Sequence, residues 1–277
     1  MISTVFGENM YIIFEGVSTT IMNLQGKKVV VTGSSSGIGA ELVKVLLKNN
    51  CLVVGADINV IQAESSHSNY TFYQCDVSKK SEVDALFEFS MKTLGNIDIF
   101  IANAGIAYYE KIHKPDWEHI QNIFDTNTIS VIYSAERMKE LSGDNAFRFV
   151  IISSVMGSVP FPGYALYCGT KSALHGFASA YRWELEKRQK LHVVYPISTR
   201  TNFFNSSGGS PIPCPSQSAK VVAQRVITGI SSDKKSIYPS RLYYLGSLLN
   251  KLFPFINSIV VYIQFVNFCK WFKRNPS

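Results

Sequence analysis

The chain has no Cys-x-x-C pair, and none of its five cysteines (51, 75, 168, 214, 269) has a histidine at metal-ligand spacing. That argues against a zinc site and for a reducing compartment. The five histidines (67, 113, 119, 175, 192) are scattered, and no role is assigned to any of them. Internal repeats and low-complexity tracts are absent. Met1 to Ile21 lacks the cationic start of a secretory signal, so a cytoplasmic protein is expected, with the C-terminal extension as a candidate membrane contact. A one-signed face is also missing: the cations of Arg182 to Lys190 are interleaved with Glu184 and Glu186, so the net charge of +7 does not imply a nucleic-acid partner.

What is present is apolar and regularly punctuated. With 46% hydrophobic residues in 277, the chain can bury a large core, and apolar runs alternating with amphipathic ones imply a parallel sheet with helices. Lys28 to Val31 leads into Thr32-Gly33-Ser34-Ser35-Ser36-Gly37-Ile38-Gly39 and then into Glu41 to Leu47, which reads as strand, glycine turn and helix. Glycine permits positive φ and close approach of a ligand, so Gly33, Ser35, Ser36, Gly37, Ile38 and Gly39 can offer helix N-terminal N–H groups to a pyrophosphate. A second strand, Cys51 to Ala56, ends in Asp57. A carboxylate there can accept hydrogen bonds from a ribose and repels a 2′-phosphate, and no Lys or Arg stands at Ser36, Ile58 or Asn59 to bind one. The expected cofactor is therefore NAD rather than NADP.

Further on, Tyr167 and Lys171 stand four residues apart, thirteen and more after Ser154. On a helix that spacing puts phenol and ammonium on one face, where the cation can lower a tyrosine pKa that is otherwise about 10. Phe149 to Ser154 reads as a strand, so Ser153 and Ser154 face opposite ways; Ser153 is expected to bond to local backbone.

These motifs, in this order, resemble those of the short-chain dehydrogenase/reductase family from about Leu24 to Ile230. In the resemblance, Cys75-Asp76-Val77 supplies Asp76 and Val77 to the adenine ring, and Asn103, Ala104 and Gly105 close the fourth strand against the cofactor. It implies that Asn127, Ser154, Tyr167 and Lys171 form the catalytic group: Tyr167 moves the proton, Ser154 holds the substrate oxygen, and Lys171 tunes Tyr167 and holds the nicotinamide ribose. Asn127 is similar to the residue that orders a water between Lys171 and solvent. The implied fold is α/β, a single-domain Rossmann-type doubly wound parallel sheet over residues 24–235. It carries a leader over 1–23 and an extra apolar helical extension over 236–277. A homo-oligomer is implied as well. The leader reads as disordered chain or as an artefact of an upstream start codon.

One motif departs from the family. After the strand Leu191 to Tyr195 the run is Pro196-Ile197-Ser198-Thr199-Arg200-Thr201, with Ile197 where the family has glycine. Thr201 still aligns with the residue that bonds the nicotinamide carboxamide, but a β-branched side chain restricts the backbone before it. The pocket is expected to be lined by Met156, Phe161, Tyr164, Phe203 and Phe204, with Asn205 to Ser218 as a lid, so a small lipophilic hydroxy or keto substrate is expected. Leu242 to Phe272 is apolar and aromatic, with Lys251 and Pro254 within it and Lys270, Lys273 and Arg274 at its end. Phe255 to Cys269, holding Asn257, Ser258, Gln264 and Asn267, is short and polar for a spanning helix; a helix lying in a membrane surface and a helix covering the substrate mouth or a subunit interface are the open readings. Two other readings stay open: an NADPH-dependent 3-oxoacyl thioester reductase, and a non-catalytic NAD-binding scaffold.

Overall fold

The computed structural model describes residues 22–60, 67–253 and 255–275. The expected leader lies outside them as far as Ile21, as does Pro254. In chain order the main elements are β1 (Lys28–Thr32), α1 (Gly37–Lys48), β2 (Leu52–Asp57), β3 (Tyr70–Gln74), α2 (Lys80–Leu94) and β4 (Ile99–Ala102). Then follow α3 (Trp117–Phe124), a π turn (Asp125–Ile129), α4 (Ser130–Ser142), β5 (Arg148–Ile152), α5 (Ala165–Tyr181) and β6 (Lys190–Val194). The rest comprises β7 (Thr199–Arg200), α6 (Phe203–Ser206), β8 (Gln217–Ser218), α7 (Ala219–Ser231), β9 (Ser236–Ile237), α8 (Arg241–Leu252) and α9 (Phe255–Arg274).

Seven strands form one sheet in the order β3-β2-β1-β4-β5-β6-β9, and every pairing in it is parallel. The runs are apolar throughout because both faces are covered by helices. Alternation along each strand divides the core in two. Val30, Val54, Phe100, Phe149 and Val193 point to the side packed by α2, α4 and α5. Val29, Val31, Val53, Ile99, Ile101 and Val150 point to the side packed by α1 and α7. Phe87, Phe100 and Phe149 stack in a row with ring centroids 5.1 and 5.4 Å apart. Each fully buried Val, Leu or Phe contributes about 1.5–3 kcal/mol, so this double layer is what fixes the strand ends.

Two expected boundaries move. Ser153 and Ser154 fall just beyond β5 rather than within it, and Ser154 caps a short 3-10 turn by accepting from the Met156 N–H at 3.1 Å. The sheet also takes in Ser236–Ile237, so the catalytic unit runs past residue 235 and the extension begins with α8.

Candidate active site

The strand order reverses between β1 and β4, and a cleft opens at the carboxyl ends of the strands there, where α/β sheets bind ligands. Its volume is about 620 Å³. At one end lies the turn between β1 and α1. Gly33 and Gly37 have φ of +65° and +54°, a conformation that favours glycine. A Cβ on Gly39 would lie 1.9 Å from the Gly33 carbonyl oxygen. Ser36 precedes α1 in extended conformation without a side-chain cap, leaving the first N–H groups of the helix available to an anion. Ser34 Oγ is buried without a partner. An open N-terminus, glycines no side chain can replace and an orphaned hydroxyl suit a dinucleotide pyrophosphate.

Asp57 closes this end. Its two oxygens accept from Ser35 N and Asn59 N, both at 2.9 Å, so the carboxylate ties β2 to the glycine turn while still lining the cleft. Asp76 accepts from both Ser78 N and Ser78 Oγ. Partial burial would raise its pKa, but the Ser78 bonds and the Lys79 charge outweigh that and hold it low. Val77, Asn103, Ala104 and Gly105 line the cleft between these ends. Asn103 donates to the Thr32 and Gly33 carbonyls at 3.0 Å, and Thr32 Oγ1 accepts from the N–H groups of Asn103 and Ala104. Thr32 is a positioning residue that the motif reading overlooked, although it directly precedes Gly33.

The other end holds the reactive group. Tyr167 and Lys171 lie on α5, both buried, and line the same end of the cleft as Ser154. Lys171 Nζ sits 5.6 Å from the centre of the Tyr167 ring and donates to the Ile152 carbonyl at 3.1 Å. The expected lowering of the tyrosine pKa is not what this geometry gives. Burial pushes the Tyr167 phenol up, the Ser154 hydroxyl opposes that only in part, and the phenol is protonated at neutral pH. Burial also pushes the Lys171 ammonium down to about 8. Desolvation outweighs charge at both groups because each is enclosed.

This has a measurable consequence. An unfolded lysine keeps its proton up to about pH 10.4, whereas the folded one releases it near 8, so between those values the unfolded state binds more protons. Lys171 should therefore make stability rise with pH across that window, by up to about 1.4 kcal/mol per pH unit. In denaturant titrations the stability difference between wild type and Lys171→Met should shift in favour of wild type as pH rises through that window.

Asn127 sits in the π turn, fully buried. Its amide accepts from Ile106 N and donates to Ile106 O, both at 2.8 Å, and donates to Thr170 Oγ1 at 3.2 Å. The side chain is thus a clamp on the Gly105–Ile106 backbone. Thr170 Oγ1 in turn donates to the Tyr167 carbonyl at 2.7 Å, so the clamp reaches the tyrosine's own backbone. Asn127→Ala should cost about 1–3 kcal/mol by leaving the partly buried Ile106 groups unpaired, read as a lower denaturant midpoint.

Ser153 does not bond to local backbone as expected. Its hydroxyl meets His175 Nε2 at 3.0 Å, and His175 Nδ1 meets Ser158 Oγ at 3.3 Å. His175, one turn after Lys171, is thereby part of the support under the serines. Ile197 lines the cleft with an ordinary negative φ, so no glycine is demanded there, and the expected restriction does not arise. Thr201 lines the cleft against Gly37, whose Cβ would meet the threonine methyl at 3.0 Å.

Of the expected pocket residues, Met156, Phe203 and Phe204 line the cleft, whereas Phe161 and Tyr164 do not. Tyr164 is buried in an aromatic cluster with Tyr109, Tyr167 and Phe268, its hydroxyl 2.6 Å from Ser210 Oγ. The expected lid is pinned at its base: Ser207 O accepts from Tyr109 N at 2.8 Å, Ser207 and Ser210 are buried, and Trp271 Nε1 donates to Gly209 O at 3.3 Å.

Comparison with known proteins agrees with this arrangement. The family model described as short chain dehydrogenase matches residues 27–209. The chain belongs to the short-chain dehydrogenase family. It is 36% identical to an uncharacterized oxidoreductase of Staphylococcus saprophyticus over 58% of this chain and 68% of the relative. It is 26% identical to human epidermal retinol dehydrogenase 2 over 92% of this chain and 89% of that one. With the 3-ketodihydrosphingosine reductase of Dictyostelium discoideum it shares 28% identity over 80% of each chain. A short-chain dehydrogenase/reductase from Burkholderia phymatum, solved in complex with NAD, has the same fold. That match has a TM-score of 0.73 at 18% identity and covers 83% of this chain and 94% of the other. This short-chain dehydrogenase is an oxidoreductase whose sheet, glycine turn and Ser-Tyr-Lys group lie where the cleft needs them.

Proposed function

We propose that the enzyme interconverts a secondary alcohol and its ketone on a lipophilic substrate, with NAD as the cofactor. The observation that carries this reading is the convergence of Ser154, Tyr167 and Lys171 on one end of a cleft whose other end is the open glycine turn and Asp57. Bound NAD supplies the hydride acceptor when the alcohol is oxidised, and its reduced form the donor when the ketone is reduced. The turn would hold the pyrophosphate, Asp57 the adenosine ribose, Asp76 and Val77 the adenine, Lys171 the nicotinamide ribose and Thr201 the carboxamide.

The chain's own residues do the proton work. Ser154 donates a hydrogen bond to the substrate oxygen and stabilises the charge that develops on it. Tyr167, protonated at neutral pH, gives its proton to that oxygen as the ketone is reduced, and takes it back in the reverse direction. The nearby Lys171 cation favours the phenolate that results. Met156, Phe203 and Phe204 present apolar surface to the substrate. Two relatives carry the names of enzymes for long apolar molecules, retinol and 3-ketodihydrosphingosine, which supports the lipophilic character of the substrate.

Cofactor choice is testable by itself. Among the described residues that line the cleft, Lys171 is the only Lys or Arg, so a 2′-phosphate would face Asp57 without a cation. Wild type should bind NAD at least about tenfold more tightly than NADP, tenfold being about 1.4 kcal/mol. Asp57→Asn should narrow that ratio, and tighter binding of NADP by wild type would overturn the assignment. It would favour instead the thioester reductase, for which Lys111 and the cations at the end of α9, near the rim, would serve an acidic carrier.

A further inference from the structure

From Lys234 onward the chain holds seven Lys or Arg and no Asp or Glu, while the residues before it hold twenty of each sign. The net charge of +7 therefore resides in the last 44 residues, and five of these seven cations lie on α8 and α9. The same segment carries a run of exposed apolar side chains. On α8, Leu242, Leu245, Leu249 and Leu252 are exposed, the last at 73%. On α9, Phe255, Ile259, Tyr262 and Ile263, at intervals of four, seven and eight residues, are exposed on one face, Tyr262 at 66%. The expected polar stripe is partly turned inward instead: Asn257 and Gln264 are half-buried. A helix packed on a water-exposed protein surface shows the opposite arrangement.

The far end of α9 is anchored. Phe268 packs on Tyr109 and close to Gly163, Trp271 packs on Tyr109 and bonds to Gly209, and Phe272 lies beside His113 and under Lys111. The helix is long and apolar enough to cross a membrane, with a mean hydropathy of 1.2 and Phe268 as its buried residue. Crossing would strip these contacts from the rim of the cleft. Helical spacing places Lys270, Lys273 and Arg274 on the same face as Phe255, Ile259 and Tyr262, at the level where headgroups would meet them.

We propose that the exposed face of α8 and α9 docks on an anionic lipid bilayer, apolar side chains in the interfacial layer and cations on the headgroups. Apolar insertion and cationic attraction each strengthen such binding. Because α9 ends on the rim, the bilayer then lies beside the entrance of the cleft. The inference is independent of which reaction the cleft performs.

Co-sedimentation of the full chain with phosphatidylcholine vesicles, with and without phosphatidylserine, tests it. Phosphatidylserine should raise the bound fraction, with an affinity gain of about tenfold or more that falls at high salt. A Leu245→Glu, Ile259→Glu, Tyr262→Glu variant should lose binding while keeping the wild-type melting curve. If that variant does not fold, Lys270→Glu with Lys273→Glu and Arg274→Glu should lose the phosphatidylserine dependence. Wild type that stays in the supernatant, or variants that sediment as it does, would overturn the proposal. So would a wild-type dimer that ignores vesicles and becomes monomeric in the glutamate variant, since a second copy would then cover the face.

Discussion

Replacing Tyr167 with Phe is expected to lower turnover by about 10² to 10⁴-fold, the range a positioned proton donor supplies, while NADH binding changes little. The substitution removes one hydroxyl and nothing else. The ring keeps its edge contacts with Tyr164 and Phe203, whose centroids lie 6.1 and 5.5 Å away, so the wall of the site keeps its shape. Ser154 still accepts from Met156 N and retains its place. What disappears is the phenol proton at the Ser154 end of the cleft, next to the Lys171 cation that would stabilise its loss. The measurement is steady-state turnover beside a fluorescence titration with NADH. Residual activity within about tenfold of wild type would mean that another group or solvent supplies the proton.

A second large effect is expected at the opposite end of the cleft. Gly39→Val would place a Cβ 1.9 Å from the Gly33 carbonyl oxygen and 2.7 Å from Asn103 Nδ2. Backbone lies on one side and a side chain fixed by two hydrogen bonds on the other, so neither neighbour can yield without opening the turn. Overpacking of this kind costs about 1–3 kcal/mol or more, and the N–H groups meant for the pyrophosphate would move with it. Loss of detectable NAD binding together with a lower melting temperature is expected. Gly176→Ala is the control: it lies in α5 with open space around it, where alanine should add about 0.5–1 kcal/mol. Equal behaviour of the two variants would remove the close-packing argument for the turn.

The glycine turn, the strand-end Asp57 and the Ser154, Tyr167, Lys171 group were legible in the sequence because each depends on local spacing. A parallel sheet brings the carboxyl ends of its strands together whatever the loops do, so residues 33 to 39, 57, 103 to 105 and 154 had to share one cleft. Legibility ended where a property depends on enclosure. Spacing alone puts a cation near the Tyr167 phenol, but it does not show that both groups are buried, which reverses the direction of the tyrosine shift. Asn127 was found by position, yet its amide is spent on Ile106, a loop residue no periodicity connects to it. Phe161 and Tyr164 are apolar and close to Tyr167 in sequence, but Tyr164 is drawn into the Tyr109 and Phe268 cluster by a helix more than a hundred residues away. The inverted face of α9 was hidden for the same reason: a helical wheel gives two faces, and only the contacts of Phe268 and Trp271 decide which one meets the protein.

The most direct test of the central claim is NAD reduction by wild type across a series of secondary alcohols of increasing apolar length. Ser154, Tyr167 and Lys171 at the end of an apolar-walled cleft predict turnover that rises with chain length and is lost in Tyr167→Phe. Tight NAD binding with no turnover on any alcohol or on the matching ketones would contradict the account and leave the cleft a binding site without chemistry.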